Sequence, residues 1–318
     1  MGDGCRRRLT ALCAGALLLG GCGGGAEVSP APSGQAATAT ATAPAEQPAP
    51  PLCRRLSVRV TGRVQAPAAT ELSGLVESRS QPSVLWTHND SGDRPRVLAI
   101  SASGRLLADV AVAGAQAVDW EDIAAGPDTI LLGDIGDNPA QRESISVYEI
   151  AEPPIAPGSR GATATAQASR FELRYPDGPR DAETLLRDPE SGAVVIVEKR
   201  FDGRSGVYVA GRFQAGVTRT MRRAGRLRLG PGELVTAGDV SKDGRTIALR
   251  TYSSAFVWRR RAGESVAATL LRRRPCTVRA DLTVEGQAES LALDADGSAF
   301  YTVPEGSVPA LRRYAPVG

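Results

Sequence analysis

A short phrase recurs five times along this chain: an acidic residue at the head of an apolar stretch, followed closely by a second apolar stretch. The copies are ELSGL from Glu71, DWEDIA from Asp119, DAETLL from Asp181, AGDVS around Asp239 and AESLAL around Glu289. From Glu71 through Glu121, Glu183 and Asp239 to Glu289 the steps are 50, 62, 56 and 50 residues. That is close to the period of a four-stranded unit repeated about an axis. A unit of this size cannot cover both faces of its own sheet, so the copies must stack on one another.

The segments between the phrases read as short strands separated by glycine-bearing turns, and helix signals are nearly absent. The expected strands after Glu71 are 72–76, 83–88, 96–101 and 106–112. After Glu121 they are 122–125, 129–133, 145–150 and 170–175. After Glu183 come 184–187, 193–198, 206–210 and a ragged 219–229. After Asp239 come 240–242, 246–250, 255–259 and Val266–Leu271. After Glu289 come 290–293, 299–303 and 311–314, one strand short of a full unit. Leu56–Val64 is available to supply it, and closing a ring this way removes two open strand edges at once. The expected fold is therefore an all-β, five-bladed β-propeller whose last blade is closed by the N-terminal strand. Six blades are the alternative, with Ala162–Tyr175 or Arg219–Val235 hiding a degenerate one.

Three segments are expected. Residues 1–21 read as an export signal, with Arg6, Arg7 and Arg8 ahead of a short apolar stretch. The signal ends Leu19-Gly20-Gly21-Cys22, a bacterial lipobox, so Cys22 is expected to be acylated; the alternative is an ordinary signal with a chance cysteine. Residues 22–52 are rich in Ala, Pro and Thr, too poor in apolar bulk to build a core, and form a tether of up to roughly 90 Å at about 3.1 Å per residue. Residues 53–318 make the propeller. The chain is thus expected at the extracytoplasmic face of the cell membrane, as a monomer anchored by its lipid, with an unidentified envelope ligand or protein as partner. Cys53 and Cys276 alone remain for an oxidising compartment, where a single disulfide is the natural reading and two free thiols the alternative.

Charge is nearly balanced, with 38 basic and 35 acidic residues and a net +3, which argues against a nucleic-acid partner. The runs Arg259-Arg260-Arg261 and Arg272-Arg273-Arg274 read as solvated outer strands, or as a weak attraction to anionic lipid or wall polymer.

Consecutive strands of a blade run antiparallel, so the start of the innermost strand and the end of the second meet at one rim. Both sets are acidic. The strand starts offer Glu71, Asp119, Glu121, Glu183, Asp239 and Glu289; two strand ends offer the paired Asp-x-Gly-Asp turns Asp90 with Asp93 and Asp134 with Asp137. Turn chemistry explains one Asp and one Gly in each copy. Carboxylates crowded at one mouth repel, and two arrangements relieve this: a bound divalent cation, with oxygen-only ligands favouring Ca²⁺, or charge balance by arginine and lysine. Arg142, Lys199, Arg200 and Arg250 are the cations in reach, and Lys199, Arg200 and Arg250 are candidates to contact an anion. His88 is the only histidine, so histidine-based triads and multi-histidine metal sites are excluded unless built around it. A hydrogen-bonded structural role is the plainer reading of it. No nucleophile elbow, phosphate-binding glycine loop or Cys/His metal spacing is present.

The pairs ELSGL with LWTHNDSGD, DWEDIA with LLGDIGDN, DAETLL with VVIVEKR and AESLAL with FYTVPEG resemble a group of secreted actinobacterial propeller proteins. More loosely they are similar to the SdiA-regulated and phytase-like propeller superfamily. The resemblance spans Glu71 to Gly306. Phytase-like members carry calcium in an acid-lined channel, which would map onto Glu71, Glu121, Glu183 and Glu289 and would require a basic phosphate cradle. Blade four departs from the pattern, offering Asp239 and Arg250 where the others have a Glu and an acidic turn. The expected function is a binding or scaffold module with an acid-rich mouth; the alternative is a Ca²⁺-dependent phosphoester hydrolase.

Overall fold

The computed structural model describes residues 49–211, 213, 216–272 and 275–317. The signal, Cys22 and the tether to residue 48 lie outside the described residues, as do Arg273 and Arg274. After a 3-10 turn at Pro51–Cys53 comes β1 (Leu56–Arg63). The first blade follows as β2 (Leu72–Glu77), β3 (Val84–Asn89), β4 (Arg96–Ser101) and β5 (Leu106–Ala113). The second has β6 (Trp120–Ala125), β7 (Thr129–Asp134) and β8 (Ile145–Ala151); β9 (Ala162–Gln167) and β10 (Ser169–Arg174) follow in the chain. The third has β11 (Ala182–Arg187), β12 (Val194–Glu198) and β13 (Gly206–Ala210); β14 (Arg219–Thr220) and β15 (Arg222–Arg226) follow in the chain. The fourth has β16 (Val235–Val240), β17 (Thr246–Thr251), β18 (Ala255–Arg259), a short helix α1 (Val266–Leu271) and β19 (Cys276–Thr277). The fifth has β20 (Ala292–Leu293), β21 (Phe300–Thr302) and β22 (Ala310–Pro316).

These strands form five separate sheets, and the fifth reads β20-β21-β22-β1. The N-terminal strand closes the ring, pairing antiparallel with β22 from Leu56 opposite Pro316 to Arg63 opposite Ala310. The two segments that might have formed a sixth blade are absorbed as outer strands. β9 runs parallel to β5 as a fifth strand of blade one, and β10 pairs with β8 as the fourth strand of blade two. β14 pairs with β10, and β15 completes blade three. The chain is a five-bladed propeller.

Helix α1 replaces the strand expected at Val266–Leu271. Ser265 caps it, its hydroxyl accepting from the Ala268 amide at 3.2 Å, and such a side-chain acceptor at an N-cap favours the helical start. The outer strand of blade four is β19 instead. Its first residue, Cys276, is bonded to Cys53 across 223 residues of sequence, with 5.6 Å between the Cα atoms. The bridge therefore ties the segment entering the closing strand to the neighbouring blade.

Why the inner strands lack alternation follows from where the core sits. The buried apolar side chains fall into five clusters, one at each junction between adjacent blades. Val76, Trp86, Trp120 and Ile130 fill the junction of blades one and two; Leu72, Leu75, Val303 and Leu311 fill that of blades five and one. A strand covered on both faces is buried at successive positions, as β3, β12 and β17 are along their whole length. Outermost β1 exposes Val58 and Val60.

Candidate metal centre

The turns between first and second strands put the blades in register. Ser78 N donates to Val84 O, Gly126 N to Thr129 O, Asp188 N to Ala193 O, Ser241 N to Thr246 O and Asp294 N to Ala299 O. Counting back equally from these donors places Ser73, Glu121, Glu183, Thr236 and Glu289 at one equivalent position of the five inner strands. At Glu121, Glu183 and Thr236 the pairing with the second strand skips a residue. Such a bulge re-aims the side chain it carries, here toward the channel mouth.

Three glutamates thus meet at the mouth, joined by Asp90 from the end of blade one's second strand and by Asp119 and Asp181 from just ahead of β6 and β11. Oxygens of Asp90, Glu121 and Glu289 lie within 4.8 Å of one another, and so do those of Glu121, Asp181 and Glu183. Glu121 belongs to both groups and is 2% exposed, as is Glu183. Gly136 lies close behind: a Cβ there would overlap the carboxyl oxygens of Glu121 and Asp119. Glu71 is exposed at the outer lip, and Glu305 adds a further half-buried carboxyl beside Glu289 and Glu71.

Among the described residues Lys199 reaches into the glutamates of this set, while Arg142 offsets Asp119 at its edge. Lys199 is ion-paired with Glu183, lies 3.7 Å from Glu289 and sits 5.5 Å from the centre of the Tyr252 ring. Tyr252 donates to Glu289 Oε1 at 2.5 Å. Burial alone would lower the Lys199 pKa, but the charge and hydrogen bond of Glu183 hold it above the usual lysine value. Burial, and then the charge of neighbouring glutamates, pushes Glu121 and Glu183 well above the ordinary carboxylate range. Asp90 is raised to about 7, by burial and then by Asp119, Glu289, Glu305 and Glu71. Asp119, Asp181 and Glu305 are raised for the same first reason. One lysine does not satisfy the cluster. Glu121 Oε2, Glu183 Oε2 and Asp90 Oδ1 are all buried without a hydrogen-bond partner among the described residues. A buried acceptor left so is costly unless something meets it. Convergent carboxylate oxygens of this kind suit a hard divalent cation.

Other acids singled out in the sequence do different work. Asp93 is bound to Arg96 at 2.7 Å and accepts from Asn89. Asp134 accepts from the Asp119 amide and pairs with Arg142 at 2.9 Å. Asp137 accepts from the amides of Gln141 and Arg142, folding the loop behind the mouth. Asp239 is not at the rim. It lies deeper, accepting from Val240 N and Leu293 N and so fastening blade four to blade five, with its pKa raised to about 6 by burial. Asp122 makes the matching link from blade two to Leu185 of blade three. The rim position of blade four is Thr236, whose hydroxyl donates to Ala288 O.

Of the cations, Arg200 points away to Asp202 and Glu198. Arg250 is wholly buried, donating to Glu285 at 2.9 Å and to the Ser290 carbonyl, so it is no anion contact at the mouth. His88 is fully buried against Trp120, with Nδ1 2.9 Å from the Asn89 carbonyl; burial lowers its pKa to about 4 and keeps it neutral. Asp181, Glu305 and Tyr252 escaped the sequence reading as site residues. The aspartate was legible as the counterpart of Asp119 one blade earlier; the other two had no repeat to mark them.

No family model matches the chain, and no curated protein does. Solved structures of propellers do. A gluconolactonase from Xanthomonas campestris superimposes with a TM-score of 0.43 at 13% identity, covering 83% of this chain and 91% of that one. A candidate 6-phosphogluconolactonase from Bacteroides uniformis gives 0.38 at 15%, covering 79% and 72%. The WD40 repeats of RRP9 give 0.38 at 11%, covering 81% and 97%.

Proposed function

We propose that this chain is a cation-dependent binding module: an extracytoplasmic propeller, tethered through an acylated Cys22, whose acidic mouth holds Ca²⁺ and presents it to an oxygen-rich envelope ligand. One observation carries the cation: two convergent sets of carboxyls, Asp90 with Glu121 and Glu289, and Glu121 with Asp181 and Glu183, share Glu121, and Glu121, Glu183 and Asp90 each keep a buried carboxyl oxygen without a partner among the described residues. Glu121, shared by both groups of ligands, is the residue on which the site turns. Calcium accepts six to eight oxygens in flexible geometry, and Asp119, Asp181 and Glu289 supply more. Lys199, with Arg142 beside Asp119, leaves the cluster still negative, and a divalent ion supplies the rest of the balance. The affinity of this propeller for the secreted actinobacterial group, suggested by its repeated phrases, accords with a lipid-tethered envelope role.

The test is thermal. Calcium added to chelated protein raises the melting temperature of the wild type and leaves Glu121→Gln unmoved; equal curves for the two proteins end the proposal. A second reading, a Ca²⁺-dependent phosphoester hydrolase, is favoured by Asp90, a carboxyl held near neutrality beside the same ligands. A general base works best with a pKa near the working pH. Calcium-dependent turnover of a phosphoester panel, lost in Glu121→Gln, would select it.

A further inference from the structure

The arginine run that the acidic mouth leaves unused lies on the opposite rim. β17 begins there, β18 ends there, and the turn from β11 to β12 sits beside them. Arg245, Arg259, Arg260 and Arg261, with Glu190 and Asp243, line a cleft of about 460 Å³ between blades three and four.

Arg260 anchors it. The residue is 4% exposed; its Nη2 donates to Asp188 at 3.0 Å and faces Glu190 at 3.2 Å, and its Nε donates to the Glu264 carbonyl. Its Nη1 is buried without a hydrogen-bond partner among the described residues, and so is Nε of Arg259. Gly244 puts no side chain over Arg260 Nη1; a Cβ built there would come to 3.3 Å from it. The side chain of Arg245, 67% exposed, makes only a long 3.9 Å pair with Asp243, and Arg261 is exposed, so both can swing over an occupant. The opposing acids are largely engaged. Asp243 accepts from the Ser241 hydroxyl and the Arg245 amide, Asp188 is held by Arg260, and Glu264 by Arg272 at 2.9 Å. Four guanidinium groups against Asp188, Glu190 and Asp243 leave the cleft positive.

Unpartnered guanidinium nitrogens seek an acceptor, and their planar forks match the oxygens of phosphate. We propose that this cleft binds a phosphate-type oxyanion through Arg260 Nη1 and the guanidinium groups of Arg259, Arg245 and Arg261. The chain enters the ring on the same rim: Leu56 of β1 pairs with Pro316, and Ala49, Pro50, Arg259 and Arg272 line an adjoining pocket. The phosphate belongs either to an anionic lipid headgroup or to a soluble phosphate compound.

The experiment titrates inorganic phosphate into the full chain in EDTA, against chloride at matched ionic strength. Wild type binds phosphate saturably. R245E/R261E, altered only at exposed side chains and melting like wild type in chloride, binds at least about tenfold more weakly, the loss of one or more charge-assisted contacts. R245K/R261K keeps most of the affinity, and Glu121→Gln keeps all of it, which separates this site from the mouth. Vesicles then assign the source. A preference for phosphatidylglycerol over phosphatidylcholine that R245E/R261E loses, and that inorganic phosphate competes away, identifies the headgroup. Saturable phosphate binding with vesicle binding unchanged by the variant identifies a soluble phosphate. No binding beyond the chloride control, or equal binding by R245E/R261E, overturns the proposal.

Discussion

Replacing Asp90 with asparagine stabilises the chelated protein, by an amount that shrinks as the pH falls. An acid whose folded pKa lies above its unfolded one makes the folded state bind more protons between the two values. Its stabilising contribution is whole below pH 3.8 and is lost as the pH climbs toward about 7, the value to which burial and four neighbouring carboxyls raise Asp90. At about 1.36 kcal/mol per pH unit that interval is worth about 4 kcal/mol, and roughly half of it after solvent screening of a half-buried group. Asparagine removes the charge and keeps the shape, so at pH 8 the variant gains about 2 kcal/mol, and at pH 5 about 1 kcal/mol. For a domain of this size these are shifts of about 4–8 °C and about 2–4 °C in melting temperature. The difference between the two proteins is the quantity to measure, by calorimetry in EDTA. His88, held at about 4, opposes Asp90 between pH 4 and 6.5, while Asp239, held at about 6, acts with it; both cancel in the difference. Saturating calcium reverses the sign, because the variant has lost a ligand. An Asp90→Asn protein less stable than wild type at pH 8 in EDTA, or a difference constant across the range, refutes the reasoning.

Other outcomes follow from the same geometry. Gly136→Ala, whose methyl group meets the carboxyls of Glu121 and Asp119, costs about 1–3 kcal/mol of stability by overpacking and weakens calcium binding at least about tenfold, read by titration calorimetry. Arg250→Met strands the buried Glu285 and lowers stability by about 3–5 kcal/mol in denaturant unfolding; Arg200→Ala, at an exposed pair, changes it by less than about 0.5 kcal/mol. Cys53→Ser with Cys276→Ser opens a loop spanning 223 residues and lowers stability by up to about 5 kcal/mol in the chain-entropy model, while calcium stoichiometry stays as in wild type.

The architecture was legible because the repeat and the strand pattern agree. Five acidic phrases set the blade count, the missing strand in blade five pointed to Leu56–Val64, and Cys53 and Cys276 sat where the closure needs them. The site was legible only in outline. The mouth gathers Asp90, Asp119, Glu121, Glu183, Glu289 and Lys199 from positions that strand direction alone brings together. Register was the weak link. Pairing skips a residue near the start of four inner strands, and counting residues along the sequence does not reveal where. So Asp239, taken as the fourth rim acid, lies below the mouth, and Glu71 lies ahead of Ser73, the true counterpart of Glu121. Helix α1 was missed for a different reason: Val-Ala-Ala-Thr-Leu-Leu is as apolar as a strand, and only the Ser265 cap marks it as helical. Buried Arg250 shows the remaining gap, since a charge that closes a blade junction looks in sequence like one that faces a ligand.

The central claim is that the carboxyls at the mouth are a cation site and not merely a crowded rim. Equilibrium dialysis of the chelated full chain against calcium measures this directly, as bound metal per chain. The account requires at least one calcium per wild-type chain, with affinity rising with pH as the raised carboxyls of Asp90, Glu121 and Glu183 give up their protons, and none in Glu121→Gln with Glu183→Gln. Wild-type protein that retains no calcium at millimolar concentration, or a doubly substituted protein that retains as much, contradicts it.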